Sequence, residues 1–164
     1  MISSGADDST VILTIPMRAE YVSIARLTAA GAANRMGFDI ETIEDIKVSL
    51  SEVCNRIINT QKKFSDSGKA ECKIEFVLSK DSLRIDFFVN NIEPLDYFNK
   101  NGAVSQDDIG EVCVDSINED SDGGRRVEEN CEDQIQLSLI TCLMDEFIVN
   151  PSDSCLVSMK KFLD

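Results

Sequence analysis

The chain has 164 residues, enough for one domain with a single core, and its 43% apolar and 28% charged residues suit an ordinary globular protein. A net charge of -14, from 30 acidic against 16 basic side chains, argues against a nucleic-acid partner, because neutralising a phosphate backbone takes clustered Lys and Arg. The absence of histidine excludes Ser-His-Asp and Cys-His nucleophile systems, so any chemistry must rest on carboxylates, lysines or a bound metal.

Thr10 to Pro16 (TVILTIP) alternates and is rich in β-branched residues, which predicts a first strand closed by the proline. Glu20 to Met36 is rich in Ala, Leu and Ile, with Tyr21, Ile24, Thr28 and Ala32 at helical spacing and Gly37 as a stop signal. Asp39 is placed to cap a second helix, in which Ile43, Ile46, Leu50, Val53 and Ile57 step by three and four residues along one face. Ala70 to Leu78 and Ser82 to Val89 each alternate apolar and polar residues around Lys80-Asp81, the pattern of a hairpin with one buried face. A third helix is expected over Asp133 to Met144. Phe147 to Val149 and Cys155 to Phe162 then form a closing hairpin around Asn150-Pro151-Ser152-Asp153.

This β-α-α-β-β-α-β-β order predicts a two-layer α/β (α+β) sandwich, with a mixed, mostly antiparallel sheet and helices on one face. No internal repeat or dividing linker is present, so residues 1-164 are expected to form one domain. Between Asn99 and Glu132 runs a stretch dense in Asp, Glu, Asn, Ser and Gly, long enough to be functional or disordered and suited to act as a lid. The six cysteines contain no C-x-x-C pair, so no metal site is expected. A short polar start and no apolar run of bilayer length lead us to expect a cytoplasmic protein with reduced thiols and no membrane partner.

Helix two carries the residues with the most chemical content. Glu52 and Arg56 lie about 40° apart around its axis, with Asp45, Ser49 and Asn59 nearby, on a polar stripe beside the apolar face. The plainest reading of that stripe is a solvated flank with an i,i+4 Glu52 to Arg56 pair.

The segments EYVSIARLT, NRMGF and IEDIKVSLSEVC, between Ala19 and Ile58, resemble the N-terminal half of the RsbW anti-sigma-factor kinases, a branch of the histidine kinase-like ATPase superfamily that includes gyrase. LSLITCLMDEFIV, from Leu137 to Val149, is similar to the family's last helix and the strand after it. The likeness covers nearly the whole chain apart from the acidic loop. It implies an α/β sandwich that holds Mg-ATP under a flexible lid. It also implies binding of a sigma factor and phosphorylation of a serine on a small STAS-type antagonist.

Position by position, the resemblance makes Glu52 the general base toward the attacking hydroxyl or water. Arg56 stands where the family has a magnesium-binding Asn, and a guanidinium, having only donors, cannot ligate a cation. Asn55, one residue away, is turned about 100° toward the outer face and does not replace that Asn. The family's adenine-reading Asp-x-Gly falls on Val89-Asn90-Asn91-Ile92-Glu93, which leaves Asn90 and Asn91 in its place. Its Gly-Leu-Gly-Leu phosphate loop falls on Gln134-Ile135-Gln136-Leu137, so that Gln134 and Gln136 crowd a backbone that phosphates must approach closely. Asp122-Gly123-Gly124, followed by Arg125-Arg126, lies too far upstream to substitute and reads as a turn in the acidic loop. Arg26 matches a helix-one arginine that the family uses to contact protein partners.

These substitutions lead us to expect an anti-sigma-factor-like regulator, a pseudokinase that binds a sigma factor or a STAS-type antagonist without a cofactor. The alternative is an active serine-protein kinase using Mg-ATP, with Arg56 touching phosphate directly. The family habit of dimerising makes a homodimer a further expectation.

Overall fold

The structure is a computed structural model and describes residues 8-64, 70-89, 138-152 and 155-163. Its elements follow the predicted order. They are β1 (Ser9–Pro16), α1 (Ala19–Met36), α2 (Ile40–Phe64), β2 (Glu71–Leu78) and β3 (Ser82–Val89). The helical residues 138-143 (α3), β4 (Glu146–Ser152) and β5 (Cys155–Phe162) complete the set. The strands form one five-stranded sheet in the order β1-β2-β3-β5-β4, and every described pairing is antiparallel. This bears out the expected α+β sandwich. No helix among the described residues is long and apolar enough to cross a membrane.

Alternation along the strands decides which face is buried. Cys72, Ile74, Phe76 and Leu78 on β2 sit opposite Val89, Phe87, Ile85 and Leu83 on β3, and all but the partly buried Val89 lie in the core. Val157 and Met159 of β5 extend that apolar face. Ile46, Leu50, Val53, Cys54, Ile57 and Ile58 of α2 close over it, as their three- and four-residue spacing requires.

Helix α1 departs from expectation in how it faces the core. Val22, Ala25, Ala29, Ala32 and Ala33 are its buried residues, while Ile24 points outward and is exposed. Alanine at four of the five contact positions lets the α1 backbone come close to β1, β2 and β3 and to α2, and a larger Ile24 would not fit between them. Gly37 ends the helix at φ 92, in the left-handed region. The N–H groups of Gly37 and Phe38 donate to the carbonyls of Asn34 and Ala33. Asp39 then caps α2 as expected, its Oδ1 accepting the Thr42 N–H at 2.7 Å.

The last hairpin also differs. β4 continues through Pro151 to Ser152, which pairs with Cys155, and a register shift between Val149 and Ser152 takes up the irregularity that Pro151 imposes. Asn150, Pro151 and Ser152, expected in the turn, are therefore strand residues. Lys161 ties this hairpin to the end of α3, donating to the Leu143 carbonyl at 3.0 Å and to Asp145 Oδ1 at 3.1 Å. Of the expected third helix, residues 133-137 lie outside the described residues, as does the acidic stretch 99-132.

Candidate functional site

The polar flank of α2 exists as the spacing predicts, and it is not plainly solvated. Asp45, Glu52 and Arg56 are each half-buried, Ser49 is fully buried, and only Asn55 and Asn59 are exposed. Asn55 faces outward, as a one-residue shift from Arg56 demands. Among the described residues no ion pair or hydrogen bond involves the Glu52 carboxylate. The simple i,i+4 pair with Arg56 is thus not formed, and both carboxylate oxygens remain available to another group.

Ser49 is the residue whose state the sequence did not disclose. Its neighbours on the same helix satisfy their hydroxyls by bonding back one turn, Ser51 to the Lys47 carbonyl at 2.7 Å and Thr60 to the Arg56 carbonyl at 2.9 Å. Ser49 Oγ is buried and has no hydrogen-bond partner among the described residues. A desolvated hydroxyl without a partner is costly, and this one lies on the stripe that holds Glu52 and Arg56. The only advance signal was its position about 20° from Arg56 around the helix axis.

Arg26 is half-buried on α1, and Leu27 beside it is 72% exposed. Leu27 was not singled out from the sequence. Its phase, off the Ala25-Ala29-Ala32 stripe, was the available sign that it faces outward. Asn90, Asn91, Gln134 and Gln136 lie outside the described residues, so Glu52 and Arg56 are the two candidate nucleotide-site positions that the structure places together.

The thiols divide sharply. Among the described residues Cys54, Cys72 and Cys155 are buried thiols, whereas Cys142 on α3 is exposed. Loss of solvation pushes the Cys54 thiol up to about 12 and raises those of Cys72 and Cys155, which suits core packing rather than nucleophilic chemistry.

No family model matches the chain. Curated relatives do match across almost all of it. The protein named serine-protein kinase RsbW from Bacillus cereus is 36% identical over 151 residues, covering 92% of this chain and 83% of that one. Its namesake in Bacillus pumilus is 32% identical over 152 residues, covering 93% and 85%. That of Bacillus velezensis is 31% identical over 153 residues, covering 93% and 84%. Identity at this level over nearly complete lengths, together with the sandwich fold and the α2 stripe described above, shows that the chain belongs to the RsbW family of serine-protein kinases.

Proposed function

We propose that the protein is a cytoplasmic, single-domain regulator that binds a sigma factor or a STAS-type antagonist and has lost phosphoryl transfer. The observation that supports this most directly is Arg56. It sits half-buried on the same flank of α2 as Glu52, at the position where the family's metal-binding Asn is expected. A guanidinium cannot coordinate Mg²⁺, and its charge repels one, so the residues present do not fit a magnesium-bound triphosphate. Phosphoryl transfer depends on that metal to bridge and neutralise the phosphates.

A second reading, an ATP-dependent serine-protein kinase, is favoured by Glu52 alone. Its carboxylate keeps the general-base position with both oxygens uncommitted.

The two readings separate in one experiment. The full chain is incubated with a purified STAS-domain antagonist and radiolabelled ATP, with and without Mg²⁺, and binding of a purified sigma factor is measured in parallel. The regulator reading expects sigma-factor binding without label on the antagonist. Label transferred to an antagonist serine, and abolished by Glu52→Gln, overturns it in favour of the kinase.

A further inference from the structure

The polar flank of α2 leaves open a pair that a helix favours. Glu52 stands one turn before Arg56, the order in which a carboxylate and a cation pair best, with about 5 to 6 Å between their Cβ atoms. Long helical side chains also lean toward the N-terminus, which directs the Arg56 guanidinium back toward Glu52. The bond between them is nonetheless not made, and among the described residues neither Glu52 oxygen is engaged. Both residues are half-buried, so each is held by its surroundings while part of it still meets solvent.

One turn from Glu52 toward the N-terminus lies Ser49, 0% exposed and with no hydrogen-bond partner for its hydroxyl among the described residues. A buried hydroxyl in that state is costly, and Ser51 and Thr60 show the remedy a helix offers, a bond to the carbonyl one turn back. Ser49 does not take it. The two Glu52 oxygens and Ser49 Oγ are thus three neighbouring acceptors without donors, and the Arg56 fork lies next to them. A guanidinium has five N–H donors, so one that already holds a neighbour keeps others for a ligand.

We propose that this flank binds a free neutral α-amino acid, whose ammonium donates to Glu52 and Ser49 and whose carboxylate receives the Arg56 fork. An ammonium has three N–H donors, matching the three acceptors, and a carboxylate takes two parallel bonds from a guanidinium. Ligands of a single sign are selected against. A cation gains at Glu52 but meets Arg56, and an anion gains at Arg56 but meets Glu52, Asp45 on the same flank and a chain of net charge -14. Acidic amino acids are disfavoured on the same ground. A neutral zwitterion carries both charges within the few ångströms that separate side chains one turn apart. The site goes beyond the regulator reading and does not depend on it, since its readout is a small molecule and not a sigma factor.

The test measures the melting temperature of the full chain with each neutral L-α-amino acid at about 10 mM, a concentration at which a submillimolar ligand stabilises the folded state measurably. Ethylammonium and propionate, each carrying one half of the zwitterion, are run alongside. At least one neutral amino acid is expected to raise the melting temperature, and neither half-ligand to do so. For that amino acid, calorimetry should show binding weakened about tenfold by Ser49→Ala, the loss of one hydrogen bond to a charged group, and more by Glu52→Gln and Arg56→Gln. Ser51→Ala, on the opposite side of the helix from Ser49, should bind as the unaltered chain does. A cooperative melt of each variant shows that it is folded. The proposal is overturned if no neutral amino acid shifts the melt, if ethylammonium or propionate stabilises equally, or if binding persists unweakened in Glu52→Gln and Arg56→Gln.

Discussion

Ser158 of β5 donates its hydroxyl to Asp86 Oδ1 on β3, directly across the strand pair and on the sheet face away from the helices. Asp86 is buried there, and the Arg84 Nε–H donates to its other oxygen at 3.0 Å. A buried carboxylate with two donors is tolerable, and with one it is left short. Ser158→Ala should therefore lower stability by about 1-3 kcal/mol in urea unfolding. An unchanged midpoint would mean that water replaces the hydroxyl at no cost.

Removing the Ser49 hydroxyl should have the opposite sign. Because Ser49 Oγ is buried without a partner, Ser49→Ala discards a desolvated polar group and should raise stability by about 1 kcal/mol in the ligand-free protein. Ser51→Ala, which breaks a bond to the Lys47 carbonyl, should not stabilise. Denaturation midpoints of the two variants, measured side by side, decide the matter.

Cysteine labelling should follow burial. Cys142 should alkylate readily in the folded protein, whereas Cys54 and Cys72 should react only on unfolding, as peptide mapping by mass spectrometry would show. The Cys54 thiol also makes a contribution to stability that is complete below its ordinary value of 9.0 and is lost as pH rises toward its folded value of about 12. In that window the unfolded chain releases a proton that the folded chain retains, so stability should fall with pH. Cys54→Ala should flatten that alkaline limb.

Acid should act through Asp39. The Thr42 N–H bond to its carboxylate holds it below the usual value of 3.8. A lowered carboxylate stabilises the fold above its unfolded value, and the gain disappears as pH falls through the folded one. Asp39→Asn keeps a capping acceptor without the titration. Its melting temperature should consequently depend less on pH in the acid range than that of the unaltered chain.

Much of the fold was legible because its causes are local. The alternation in Cys72 to Leu78 and Leu83 to Val89 can satisfy only a sheet with one buried face. The three- and four-residue steps from Ile43 to Ile57 fit only a helix lying on it. Helix α1 was legible as a helix but not in its orientation, since Ala25 and Ala29 carry too little hydrophobicity to outweigh Ile24 in a reading of pattern alone. The continuation of β4 through Pro151 escaped for a related reason. A proline reads as a turn unless a bulge is there to receive it, and Ser152 pairing with Cys155 supplies one.

The candidate site was legible as a set of residues and not as an environment. Spacing alone placed Asp45, Ser49, Glu52 and Arg56 on one flank of α2, because 100° per residue is a property of any helix. Sequence by itself thus determined the elements, their order, the α2 stripe and the family likeness, all of which depend on neighbours in the chain. Tertiary structure alone decided that Ser49 is buried without a partner, that Arg26 is half-buried beside an exposed Leu27, and that Asp86 rests on Ser158. Burial and pairing are set by residues distant in sequence, and those contacts exist only once the layers have packed.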